Sequence, residues 1–214
     1  MVRSRTTRPT LVLLVRHGRT PTTGTTLPGR ARGLHLSPEG VAQAEDAARR
    51  IVATGRRIAA VYASPLERTR ETAKPIAAAV GQKVRIDRGL LECDFGDWTG
   101  RRLADLMKKP EWSTVQRHPS GFRFPGGESF LEMQTRIVEA IDGIVAAHPG
   151  QTIVAVSHAD PIKAFVAHAL GTHLDLFQRI VISPCSVTAV LRSPSGPAVL
   201  TVNATGELGP LALS

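Results

Sequence analysis

Leu11-Val12-Leu13-Leu14-Val15-Arg16-His17-Gly18-Arg19-Thr20 joins five consecutive apolar residues to a cluster of ionisable ones. A short apolar run bounded by polar and turn residues has the length of a strand buried on both faces. It is too short for a signal-peptide core or a membrane span. The change at Arg16 is abrupt, so a buried strand would carry two charged or ionisable side chains at its carboxyl end.

The same alternation continues outward. Ser37 reads as an N-cap with Pro38 at the first helical position, which predicts a helix over 38–53 that stops near Gly55. Residues 58–63 read as a second strand. Ser64-Pro65 reads as the cap and opening of a helix running to about Val80, with Gly81 as its stop. Residues 84–86 make a short third strand. Glu128 to about His148 predicts a long amphipathic helix ended by Pro149-Gly150. Residues 152–156 are a buried strand, 160–170 a helix closed by Gly171, and 179–204 hold two or three strands with a turn at 194–196.

Residues 87–127 break the pattern. They hold both tryptophans, and four of the six phenylalanines fall between 95 and 130, so the segment has apolar material of its own. A helix over about 102–109 is expected within it. A long irregular segment in a compact domain usually serves as a lid or binding loop.

This order predicts an α/β fold. The expectation is a three-layer sandwich: a mostly parallel central sheet, helices on both faces, and a lid-like excursion over the C-terminal strand ends. One domain is expected over residues 10–204, with the lid at about 99–127. Residues 1–9 would be a disordered N-terminal tail and 205–214 a C-terminal tail. Ligands of such sheets bind beyond the carboxyl ends of the strands. That rule selects four places: 16–23, 64–70, 90–98 and 157–161.

All four carry ionisable side chains. Arg16 and Arg68 would present guanidinium groups, which match phosphate oxygens bidentately and stay charged. A neutral imidazole, His17 or His158, can attack phosphorus when its other nitrogen is held by a hydrogen bond. A helix N-terminus adds backbone donors for an oxyanion. Glu92 could protonate a leaving oxygen; Asp94 competes for that role. Taken alone, His17 could equally be a hydrogen-bonded core histidine, and Glu92 an ordinary ion-pair partner.

Leu14-Val-Arg16-His17-Gly18-Arg-Thr20, Leu36-Ser-Pro-Glu-Gly40 and Ala63-Ser64-Pro-Leu66-Glu-Arg68-Thr-Arg-Glu-Thr72-Ala73 occur in this order. They are followed by Leu91-Glu92-x-x-Phe95-Gly96-x-Trp98, Pro125-Gly-Gly-Glu128-Ser129 and Val156-Ser157-His158. Together they resemble the histidine phosphatase superfamily, also called the phosphoglycerate mutase-like family, in its phosphatase branch. The resemblance covers roughly residues 10–192. It implies that His17 becomes phosphohistidine, that Arg16, Arg68 and His158 hold the phosphoryl oxygens, and that Glu92 acts as acid and then base. It implies no metal and no other cofactor.

Three positions depart from the family pattern. Thr23 stands where Asn is frequent and would keep a weaker hydrogen bond to substrate. Ala159 follows the second histidine where Gly is frequent; its N–H serves as long as its φ stays negative. Asp160 stands where many relatives are apolar, and could orient His158 or cap the helix that follows. Arg19 and Arg30 could bind further substrate charge or be ordinary surface arginines.

The formal charge of +9 favours anionic partners. Five of the 27 basic residues are lysines and the arginines are dispersed, so no basic stripe with interleaved aromatics marks a nucleic-acid binder. The expected partner is a small phosphorylated metabolite, with neither nucleic acid nor membrane. A homodimer stays open. Cys93 and Cys185 form no Cys-x-x-Cys or zinc spacing, so a reduced, cytoplasmic protein is expected. A phosphomutase is the rival enzyme; a non-catalytic phospho-ligand binder or RNA-associated protein is the rival outside enzymes.

Overall fold

The computed structural model describes residues 8–209 and 211. β1 (Thr10–Arg16), α1 (Pro38–Ala53), β2 (Ile58–Ala63), α2 (Glu67–Ala79) and β3 (Val84–Ile86) come first. Two short helices follow, α3 (Leu103–Leu106) and α4 (Trp112–Arg117). α5 (Phe130–Ala147), β4 (Thr152–Ser157) and α6 (Ala159–Ala169) restore the alternation, and the hairpin β5 (Val187–Ser193) and β6 (Gly196–Ala204) ends it. Most of the expected N-terminal tail, residues 1–7, lies outside the described residues.

Among the described residues the strands form one sheet in the order β3-β2-β4-β1-β5-β6. The first four pair in parallel, while β5 runs antiparallel to β1 and β6 antiparallel to β5. The period-2 geometry of a strand explains why the run 11–15 is apolar throughout. Leu11, Leu13 and Val15 face Ile51 of α1 and Ala73 and Ile76 of α2. Val12 and Leu14 face Ile137 and Ile141 of α5 and Ile162 and Phe165 of α6. The chain therefore leaves adjacent strands β1 and β4 toward opposite faces. That divergence opens a crevice at their carboxyl ends, the place where ligands bind in open α/β sheets.

Local signals fix the helix starts. Ser37 Oγ accepts from the Gly40 N–H at 3.1 Å, with Pro38 at the first position. α5 opens with a reciprocal box: Ser129 Oγ accepts from Glu132 N–H and the Glu132 carboxylate from Ser129 N–H. Gly18 and Gly40 are required by contact. A Cβ on Gly18 would lie 2.5 Å from the Gly40 carbonyl oxygen, and one on Gly40 2.0 Å from that of Arg19. Only two glycines let the loop after β1 cross the first turn of α1.

Ser64 does not cap α2. The helix begins at Glu67 behind Leu66, and the Ser64 hydroxyl reaches His158 instead. A buried imidazole nitrogen needs a partner, and that demand outweighs the local capping preference.

The expected helix over 102–109 shrinks to the single turn of α3, with Pro110 close behind. The excursion is held by an aromatic cluster: Phe95 and Trp98 meet Phe124 edge-on, Phe122 and Phe124 meet Phe130 of α5, and Phe130 meets Phe177. With Met133, Ala164 and Ala167 they form a core separate from the two sheet faces. The excursion is thus a wall seated on α5 and α6. Beyond β6, Leu208 and Leu211 pack on the α1–α2 side of the sheet, and the Arg56 guanidinium donates to the Leu211 carbonyl.

Candidate active site

The ends of β1, β4 and β2 bring the site together. β1 and β4 are in register from Leu11–Thr152 to Arg16–Ser157, so His17 and His158 leave adjacent strands at one level. The His17 N–H donates to the Ser157 carbonyl at 3.0 Å, and the two imidazole rings meet edge-on with centroids 5.2 Å apart. Both rings are buried.

The tautomer of His17 follows from its partner. Nδ1 lies 2.8 Å from the Gly18 carbonyl, which can only accept, so Nδ1 carries the proton and Nε2 a lone pair. Burial, then the fields of Arg68 and Arg16, hold the imidazole well below the ordinary histidine range. The ring is neutral at physiological pH. Gly18 N–H donates to Thr72 Oγ1 on α2, which ties the loop to the helix that carries Arg68.

Arg68 lies in the first turn of α2 and is fully buried. Its Nη2 donates to the Gly29 carbonyl at 2.7 Å, while Nε and Nη1 are buried without a partner among the described residues. Arg16 gives Nη1 to the Ile182 carbonyl at 2.6 Å, and its Nε has no partner among the described residues. The same holds for His158 Nδ1. A buried donor left unmade costs about 1–3 kcal/mol. Several such donors around two neutral imidazoles suit a multivalent anion with oxygens on several sides.

Ser64 orders His158. Its Oγ accepts from the Leu66 N–H at 3.4 Å and from the Thr69 hydroxyl at 3.2 Å, which fills both lone pairs, and contacts His158 Nε2 at 2.9 Å. The hydroxyl proton therefore goes to Nε2, and the imidazole proton stays on Nδ1, where it can donate. This role was missed in the sequence because the two residues are 94 apart and Ser-Pro is also a helix-start signal. Ser64→Ala is expected to release the tautomer and lower kcat about tenfold, the scale of losing an orienting partner. Imidazole nitrogen shifts of His158 check this; unchanged shifts would contradict it.

Glu92 follows the 3-10 turn Arg88–Leu90 and is buried beside the crevice. Its Oε1 accepts from the Cys93 N–H at 2.9 Å. Burial, then the charge of Asp160, push its carboxyl up to about 7 against the opposing pull of that N–H, Arg68 and Arg16. A carboxyl at that value can donate and accept a proton near neutrality. Cys93 is a free buried thiol raised by the same desolvation, which suits a packing residue.

A cavity of about 210 Å³ opens on this group, with Arg16, His17, Thr23, Glu92, Ala159 and Asp160 on its wall. Larger clefts around His35 and around Arg57 lie away from these strand ends. Thr23 Oγ1 accepts from the Thr20 N–H at 2.8 Å and lies 3.1 Å from Thr20 Oγ1, where either hydroxyl can be the donor. Ala159 is the first residue of α6 and is not among the positive-φ residues. Among the described residues Asp160 makes no hydrogen bond that caps α6 and none to His158; its Oδ1 takes Lys163 Nζ at 3.1 Å.

Arg19 and Arg30 are not brought to the cavity. Arg19 pairs with Glu39 of α1 at 3.2 Å, because the Gly18–Gly40 crossing lays it along that helix. Arg30 donates to the Glu92 carbonyl, Asp94 and Glu128, so it fixes the backbone that carries Glu92. Asp94, paired with Arg30, does not line the cavity. His118 pairs with Asp175 at 2.9 Å and holds the wall.

A family model described as the histidine phosphatase superfamily, branch 1, matches residues 12–205. Phosphoserine phosphatase 1 of Hydrogenobacter thermophilus is 31% identical over 186 residues, covering 85% of this chain and 87% of that protein. A probable phosphoglycerate mutase of Cronobacter sakazakii is 34% identical over 185 residues, covering 84% and 83%. The native structure of a mycobacterial glucosyl-3-phosphoglycerate phosphatase superposes with a TM-score of 0.81 at 25% identity, over 92% of this chain and all of that one. The chain spans about half the length of the first curated relatives it matches, 55% of each.

Proposed function

This chain belongs to branch 1 of the histidine phosphatase superfamily, and from that premise we propose that it hydrolyses a small phosphomonoester through a phosphohistidine on His17. The observation that carries the reading is the set of unpartnered buried donors on Arg16, Arg68 and His158 around a neutral His17.

In the first half, His17 Nε2 forms a bond to phosphorus as the bond to the leaving oxygen breaks. Glu92, as the acid, gives its proton to that oxygen. Arg16, Arg68 and the His158 Nδ1–H take up the equatorial charge. The Thr23 hydroxyl and the Ala159 N–H supply further donors to the bound ester. In the second half, ionised Glu92 takes a proton from water, the oxygen bonds to phosphorus, and the P–N bond breaks. Phosphate leaves, and His17 and Glu92 are restored. Two guanidinium groups supply the charge neutralisation, so no metal is required and turnover persists in EDTA. Among the described residues, no helix is long and apolar enough to cross a membrane; the setting we assign is the cytoplasm.

The rival reading, a phosphomutase, draws on the mutase-named relative. A mutase must exclude water while the intermediate reorients. Stoichiometric release of free phosphate supports hydrolysis; conversion of substrate to an isomer with little free phosphate overturns it.

The pH dependence has a definite sign. Glu92 must be protonated to assist an alkyl leaving group and titrates at about 7. His17 stays neutral throughout the working range, so it adds no acid limb. For an alkyl phosphate, kcat/KM is expected to fall about tenfold per pH unit above 7. Glu92→Gln should lower the rate about 10²–10⁴-fold and erase that fall. An alkaline limb that persists in the variant would assign the acid elsewhere.

A further inference from the structure

The charged groups around the cavity are distributed unevenly. Its cationic wall residue, Arg16, belongs to the phosphoryl end in the reading above. Besides His17, the remaining ionisable groups on the wall are carboxyls, Glu92 and Asp160. Arg19 and Arg30, the cations nearest in sequence, are held by Glu39 and by Asp94 and Glu128. Lys163 is bound to Asp160 and Gln178, and it does not line the cavity.

Asp160 is placed to act on what enters. Its side chain is 17% exposed, so its field is only partly screened by water. Oδ1 is taken by Lys163, and Oδ2 has no hydrogen-bond partner among the described residues. The rest of the wall is uncharged: Thr26, Leu27, Pro28, Phe95 and Leu103. A leaving group of a few heavy atoms that stays within this cavity of about 210 Å³ holds its charge near Asp160.

We infer that Asp160 is a specificity-determining residue that selects phosphomonoesters whose alcohol carries an ammonium group or no charge, and rejects those with a second anionic group. This rests on the phosphatase reading and names its substrate class. A carboxylate in the leaving group meets the Asp160 carboxylate beside the protonated Glu92, and among the described residues the wall offers it no cation besides Arg16. An ammonium group meets the open oxygen of Asp160. Rejection by like charge is as effective a source of specificity as attraction.

Three probes of equal two-carbon length test this: phosphoethanolamine, 2-hydroxyethyl phosphate and phosphoglycolate. The wild type should turn over phosphoglycolate about tenfold less efficiently than the other two, with phosphoethanolamine at least equal to the neutral ester. Asp160→Asn should bring the ratios toward one. Lys163→Met, which frees the Asp160 charge, should widen them. Ratios between substrates cancel any common change in Glu92, so only discrimination is read. Equal use of phosphoglycolate by the wild type, or ratios unmoved by Asp160→Asn, would overturn the inference. An aryl phosphate assayed alongside separates the two claims. Turnover of that ester without discrimination removes this inference alone. No turnover of any ester removes the phosphatase reading with it.

Discussion

His17→Ala is expected to lower kcat by about four orders of magnitude or more while the fold persists. Loss of a nucleophile removes the intermediate itself, and alternative groups recover little of the rate. Glu92 is turned toward the Cys93 backbone N–H, and His158 Nε2 is occupied by Ser64. Neither stands ready to replace Nε2 of His17. The structural cost is small by comparison. The ring gives one hydrogen bond, to the adjacent Gly18 carbonyl, and His17 makes its strand contact through the backbone. Truncation leaves a cavity worth about 1–3 kcal/mol, a fall of about 2–12 °C in Tm. Steady-state assays with thermal denaturation separate the two effects. A variant that stays folded and active would contradict the assignment.

Arg68→Met is expected to lower kcat/KM about 10³-fold and to leave stability unchanged or raise it. Arg68 is wholly buried, and among the described residues no carboxylate lies within ion-pair distance of it. Desolvation pulls its pKa down, only partly offset by Glu92 and Glu67. A buried cation held by one carbonyl is a cost to folding that an apolar side chain of similar length removes. Its value would lie in holding a phosphoryl dianion in transit. Inorganic phosphate should therefore raise the Tm of the wild type by mass action and fail to raise that of the variant. Arg68→Lys keeps the charge but loses the fork, and should recover little of the activity. A severe fall in Tm with activity retained would reverse this account.

These effects follow from a site only partly legible in the sequence. The helix bounds 38–53 were legible because Ser37, Pro38 and Gly55 are local signals, and the structure obeys them. The four strand ends were legible because buried strands are short apolar runs that break into charge. What escaped depends on partners distant in sequence. Ser64 looks like a cap until His158 arrives from β4. Arg30 looks like a free surface charge until Glu128, 98 residues away, is placed beside it. No periodicity in 19–36 reports such contacts. The seating of the lid was legible only as a concentration of aromatics; which rings would meet Phe130 and Phe177 depends on how α5 and α6 pack. Asp160 had an open role because its local context allowed both a cap and an orienting contact, and the structure shows neither.

The most direct measurement is a rapid acid-free quench of enzyme mixed with a radiolabelled aryl phosphate, followed by mapping of the phosphorylated peptide. An aryl leaving group departs with little help, so Glu92→Gln should form the phosphoenzyme normally and hydrolyse it slowly. The account predicts near-stoichiometric, acid-labile and base-stable label on the peptide containing His17 in that variant, a transient of the same label in the wild type, and none in His17→Ala. Turnover without label in Glu92→Gln, or label on any other residue, would contradict it.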